Sequence, residues 1–473
     1  MKRLTALVFC LLLLGACVMP ASANSAQSYW TGVDQSGAII TDGDSPILVE
    51  KELLTFDLQE TPSNHYFTVE EFLAYTGKVT AEYTFYNPSD IHVTAKLLFP
   101  FGREPDYASF YDYEAGAHIY NVDTEKYSVL ISGQPVETKI RHTLSSYSHQ
   151  FELEKDLDLV CDSFVADDFY TPDLPVTKYT FRISGVDTAT YNAANVAFDI
   201  ANELGDYRIY FPGCSGFHTL KNGDARVSTS VSNQEKFDLY IFGTAPASPP
   251  QWAAYKNGDL ENKNRISGSV DLISAESTTF QAFILENWNE TTGVSQIDWY
   301  NAAVAEIKES ASRYSQFPLV ELNRHSHGFE GSLLRWYEYE ITLDAGQRIV
   351  NAVTAPIYPA IDLNYDPAVC DYTYLLSPAK TWKSFGTLEI VVNTPYYLSN
   401  CSLDGFMKTD NGYRLSLNGL PDKELSFFLS TSENPIKPTP SYQRDYGLFW
   451  IIAAAGLIIG VAVFSLILRK IKK

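Results

Sequence analysis

Positive charge is scarce in this chain. Lys and Arg number 35 against 57 Asp and Glu, a formal charge of −22 over 473 residues. A surface of that sign repels nucleic acid and anionic lipid and stays soluble through self-repulsion, so nucleic acid is not an expected partner. Cysteine is scarce too, with six in the whole chain. Catalytic signatures are missing: there is no G-x-S-x-G nucleophile elbow and no H-E-x-x-H zinc helix. A sortase sequence, Leu-Pro-x-Thr-Gly, is absent as well.

Long apolar runs are confined to the two ends. Gly447 to Leu468 is uninterrupted and long enough for a helix to cross ~30 Å of hydrocarbon. Tyr446, Phe449 and Trp450 mark its outer end, and Arg469, Lys470, Lys472 and Lys473 form the basic flank that stays cytoplasmic. At the start, Lys2 and Arg3 precede the apolar run Leu4 to Gly15, and Ala21-Ser22-Ala23 supplies a small-x-small exit. Those are the parts of a secretory signal peptide, residues 1–23. Lipid attachment at Cys17, after Leu14-Gly15-Ala16, is the competing reading of the leader. A discarded leader and a retained anchor predict a single-pass cell-membrane protein, with the ectodomain outside and the tail 469–473 inside. Leader and tail hold six of the basic residues, so the part between them is more acidic still.

The middle of the chain alternates with period two, which argues strands. Clear cases are 47–58, 77–87, 92–99, 179–183, 196–200, 207–211, 225–231 and 237–242, then 333–343, 347–353, 372–376, 387–393, 413–417 and 424–429. Residues 127–131 and 135–142 are expected to form a hairpin across Ser132-Gly133-Gln134. One helix is expected, 296–314: Ser295 can cap it with Asp298 reaching back, and Ile297, Tyr300, Val304, Ile307, Ala311 and Tyr314 form one apolar stripe. The fold class is therefore mainly β, two or three antiparallel sandwich-like modules with one amphipathic helix and a C-terminal transmembrane helix. The modules are placed at 24–150, 151–245 and 246–433, with a Pro-rich stalk at 434–446 and the anchor at 447–468.

The order TAEYTFYNPSD, VTAKLLFPFG, YSVLISGQPVETKIR in the first module resembles the N-terminal β-module of the vault and inter-α-trypsin family, the VIT domain. PILVEKELLTFDL and YLLSPAKTWKSFGTLEIVV resemble an uncharacterised group of membrane-anchored surface proteins of Gram-positive bacteria. The D-x-S-x-S metal motif of the von Willebrand-type domain that usually follows a VIT module is absent. The two resemblances imply a protein-interaction scaffold and bring no catalytic residue.

Candidate chemistry is thin. Asp362, Asn364 and Asp366 space oxygen ligands as a calcium loop does, but Pro367 and Thr373 stand where an EF-hand needs glycine and glutamate. Asp156, Asp158 and Asp162 are a second, looser calcium candidate. His325 and His327 are two zinc-type ligands without a third. Outside the leader the cysteines are Cys161, Cys214, Cys370 and Cys401, expected as disulfides Cys161–Cys214 and Cys370–Cys401 in an oxidising compartment. Cys214 near His218 has the superficial look of a nucleophile and reads better as a half-cystine. Asn289-Glu-Thr291 and Asn400-Cys-Ser402 are glycosylation sequons. The expected function is non-enzymatic recognition of an extracellular protein or glycan. The alternative is a surface hydrolase using carboxylate or calcium chemistry.

Overall fold

The computed structural model describes residues 29–30, 35–36, 38–40, 44–58, 77–102, 109–112, 117–120, 128–144, 153–202, 206–231, 236–313, 318–322, 329 and 333–437. The leader, His325, His327, the stalk beyond 437 and the anchor with its tail lie outside the described residues. Among the described residues no helix is long and apolar enough to cross a membrane.

The chain opens with strands β1 (Tyr29–Trp30), β2 (Gln35–Ser36), β3 (Ile39–Ile40), β4 (Leu48–Asp57), β5 (Gly77–Tyr86) and β6 (Val93–Gly102). It continues with β7 (Ser109–Asp112), β8 (Ala117–Tyr120), β9 (Ser128–Ile131), β10 (Gln134–Pro135) and β11 (Lys139–Thr143). Helix α1 (Leu153–Asp158) leads to β12 (Pro175–Ser184), β13 (Asn195–Ile200), β14 (Tyr207–Tyr210), β15 (Gly216–Thr219) and β16 (Ala225–Ser230). Then come β17 (Lys236–Gly243), β18 (Gln251–Tyr255), β19 (Arg265–Ile266) and β20 (Ser269–Thr279). Helices α2 (Phe280–Leu285) and α3 (Gln296–Arg313) and the short β21 (Leu319–Val320) close the middle stretch. The last part holds β22 (Leu334–Leu343), β23 (Arg348–Ile357), β24 (Ala360–Asp362), β25 (Val369–Leu375) and β26 (Phe385–Asn393). It ends with β27 (Tyr397–Ser399), β28 (Met407–Thr409), β29 (Gly412–Asn418) and β30 (Leu425–Ser430).

Alternation builds the first unit. In β5, Val79, Ala81, Tyr83 and Phe85 are all buried while the residues between them face outward. The eight-stranded sheet β10-β9-β23-β5-β4-β26-β29-β28 lays that apolar face against two others. These are the six-stranded sheet β1-β24-β25-β30-β27, with β2 on β25, and the four-stranded sheet β11-β22-β6-β3. The strand neighbours cross the expected module boundaries. β5 pairs with β23 and β4 runs parallel to β26, so residues assigned to 24–150 share a core with residues assigned to 246–433. Alternation specifies which face a strand buries, not which strand it lies beside.

The middle stretch forms a second unit of three layers. Its central sheet, β20-β12-β17-β14-β21, is covered on both faces except along β20. Tyr179, Phe181 and Ile183 pack on Val196, Phe198 and Ile200 of the sheet β15-β16-β13-β18-β19. On the opposite face Val176, Tyr240 and Phe242 pack on Phe280 and Phe283 of α2 and Tyr300 of α3. The stripe of α3 is core, as its spacing predicts: Tyr300, Val304 and Ile307 are buried, and Ala311 packs beside them.

The hairpin expected at 127–142 is found at its turn, and its second arm is corrected beyond Val136. β9 pairs with β10 over two positions, and β11 then crosses to the other layer, where it lies antiparallel to β22. Thr143 is opposite Leu334, so the chain leaves the first unit and re-enters it on adjacent strands. The second unit is thus an insertion between β11 and β22.

Candidate functional site

Charge converges where the insertion meets the sandwich. Arg141 of β11 sits opposite Trp336 of β22 and is 2% exposed. Its Nε and Nη2 donate to Asp298 Oδ1 at 3.2 Å, and its Nη1 donates to Glu338 at 2.7 Å and to Asp162 at 3.0 Å. Nη2 also donates to the Cys161 carbonyl. Asp298 lies in the first turn of α3, where Ser295 Oγ caps its N–H at 3.1 Å. The expected reach-back of Asp298 is replaced by this pair, and its second oxygen accepts the His142 N–H at 3.0 Å. Burial opposes the Arg141 charge, but Asp298 and Glu338 outweigh it and hold the guanidinium above its ordinary pKa. His142 is pushed down to about 4 by burial and by Arg335 and Arg141, so it is neutral at physiological pH.

This cluster absorbs much of the acidic stretch considered for calcium. Asp162 pairs with Lys96 and Lys139 as well as Arg141, and Asp156 is fully buried. The loop 362–366 is likewise committed. Asp362 Oδ1 accepts the Asn364 backbone N–H at 2.9 Å and its side-chain amide at 2.7 Å, and Oδ2 lies 3.4 Å from Lys437. Asp366 bridges through its backbone to Ile436, so the start of the predicted stalk is tied to the sandwich. Among the described residues no group of three metal-ligating side chains comes together.

The four cysteines are free thiols here, contrary to the expected disulfides. Cys370 faces Leu429 of β30, which faces Leu398 of β27, so β30 separates Cys370 from the strand leading to Cys401. Two strand spacings of ~4.8 Å exceed the Cα separation a disulfide spans. Cys161 lies beside Arg141, whereas Cys214 packs in the core of the insertion. Burial pushes all four thiols up, Cys401 to about 11, which does not favour a nucleophile at Cys214.

Two features lay beyond the motif search. One is Glu52, buried against Tyr83 and Tyr374 in the core of the sandwich. The other is an open side of the insertion. β20 ends its sheet and pairs only with β12 among the described residues. Both of its faces are exposed over 271–279 apart from Ser274. Leu272 is cross-strand from Phe181, and Trp252 of β18 is cross-strand from Phe198. The Phe181 and Phe198 rings meet at 4.8 Å. Leu272, 43% exposed, and Trp252, 39% exposed, are therefore each one strand out from that ring pair, next to a strand edge that has no neighbour among the described residues. β19 covers only two residues of β18, Ala254 and Tyr255.

A scan against protein-family models gives no match, and a search of curated protein sequences gives none. Among solved structures, the chain resembles a "putative nutrient binding protein" of Legionella pneumophila with a TM-score of 0.34 and 9% identity, over 85% of this chain and 72% of that one. A likeness that distant carries no argument about fold or function.

Proposed function

We propose that this is a membrane-tethered extracellular recognition protein that binds an extended segment of a partner protein along β20. What supports the reading is the edge of β20, unpaired among the described residues, beside Leu272 and Trp252. An unpaired strand edge offers a row of N–H and C=O groups that another backbone can complete, and flanking apolar side chains select what is bound. A polypeptide matches that row better than a glycan, which carries no amide ladder. The N-terminal leader and C-terminal apolar run support export and anchoring.

The test is a photo-crosslinking residue at exposed Ala275 in the full chain, expressed in its own cells. The expected outcome is a defined polypeptide adduct that disappears with Leu272→Lys and with Trp252→Ala, while both variants keep the wild-type circular dichroism. Capture that persists in both variants, or an adduct containing only carbohydrate, would overturn the proposal.

A further inference from the structure

Ile47, just before β4, and Val49 are buried in one phase, then Glu52, Leu54 and Phe56 in the other. Between them the pairing with β5 shifts register around Glu50. On the neighbouring strand the matching residue is Gly386, where a Cβ would collide with the Glu50 carbonyl. One extra residue in a strand turns every later side chain to the opposite face. Glu52 is thereby driven inward and left 1% exposed.

Its surroundings hold no counter-charge. Tyr83 of β5 is directly cross-strand, Leu388 of β26 flanks it, and Tyr339 of β22 and Tyr374 of β25 come from the facing layer. Tyr83 and Tyr374 are the titratable groups that couple to it, Tyr339 couples to those two, and among the described residues Glu52 makes no ion pair. Two of the phenols have polar partners: Tyr83 accepts the Ala38 N–H at 3.0 Å, and Tyr339 donates to Asn351 at 2.8 Å. Among the described residues Glu52 Oε1 is buried without a hydrogen-bond partner. A carboxylate in such a place is penalised, while the neutral acid is tolerated and gains an O–H that can donate.

We propose that Glu52 is an acid-set latch: as a neutral acid it closes the seam between β4 and the tyrosines of the facing sheets, and its ionisation loosens that seam. Burial pushes the carboxyl up from 4.5 to about 7, with the Tyr83 hydroxyl acting in the opposite direction. Because the folded value is raised, the folded chain keeps a proton that the unfolded chain releases. The contribution of Glu52 to stability is therefore full below about pH 4.5, falls as pH rises through 7 and is lost above it.

The test unfolds the full chain with urea in detergent micelles, wild type beside Glu52→Gln, at about pH 5.5 and about pH 8. Between the two, the wild-type unfolding constant should rise about 25-fold more than that of the variant. Amide protection in β4, β5 and β25, corrected for intrinsic exchange, should fall with pH in the wild type alone. Equal pH dependence in the two proteins would overturn the latch. Should Glu52→Gln fail to fold, the carboxyl carbon titration of the glutamate-labelled wild type decides. A glutamate titrating near neutrality supports the proposal, and all glutamates titrating below about pH 5.5 would end it.

Discussion

At Arg141 and at Glu52 a charged side chain is enclosed by the fold, with opposite results. Arg141 is met by Asp298 and Glu338 within hydrogen-bonding distance and keeps its charge. Glu52 is met by phenols and is driven toward neutrality. Removing one partner from a buried pair leaves the other charge uncompensated, at a cost of about 3–5 kcal/mol. Arg141→Met should lower urea stability by that amount, a large share of the roughly 5–15 kcal/mol that holds a domain together. Adding Asp298→Leu should recover only part of the loss, because the His142 N–H then has no acceptor. If the single variant matches wild type, Arg141 is not the pin between insertion and sandwich. Neither residue stood out in the sequence. The partners that hold the Arg141 charge, Asp298 and Glu338, lie 157 and 197 positions away, beyond any local pattern. Glu52 did leave a trace: the apolar phase of β4 switches between Val49 and Leu54, which is how a bulge reads in one dimension.

Elements whose signal is local were legible. Helix α3 spans Gln296–Arg313 against an expected 296–314, because an apolar stripe at helical spacing and a serine cap are both written within one short window. Ser295→Ala removes that cap and should cost about 1 kcal/mol. Urea unfolding should show it, with the slope of the transition unchanged. An effect below about 0.3 kcal/mol would mean that packing against the sheet holds the end of α3 without the cap. The hairpin at 127–142 was legible at its turn, where β9 meets β10, but not in its second arm. Alternation in 139–143 is equally compatible with pairing to β9 or to β22, and β22 lies nearly two hundred positions downstream. The calcium candidate shows the same limit of a short motif. Asp362, Asn364 and Asp366 have suitable spacing, but the fold hands Asp362 to Asn364 and Lys437.

At the scale of the whole molecule, the sheets pair the early strands with the late ones and carry an insertion between β11 and β22. The topology proposed for the chain hangs that body outside the cell. Protease added to intact cells should remove an antigenic tag placed at the exposed Asn289 turn, and a tag after Lys473 should survive until the cells are lysed. The reverse pattern would invert the orientation.

Mainly β character, many of the strands and α3 followed from residue order alone, since alternation and helical spacing act over a few neighbours, whereas β18 and β20 were not among the expected strands. The expected export and anchoring rest on the same kind of local pattern at the two ends. Tertiary structure alone decided which strands are neighbours, which carboxylates meet a guanidinium and which meets only phenols. Those outcomes depend on contacts between positions hundreds of residues apart, and no short stretch of sequence encodes them.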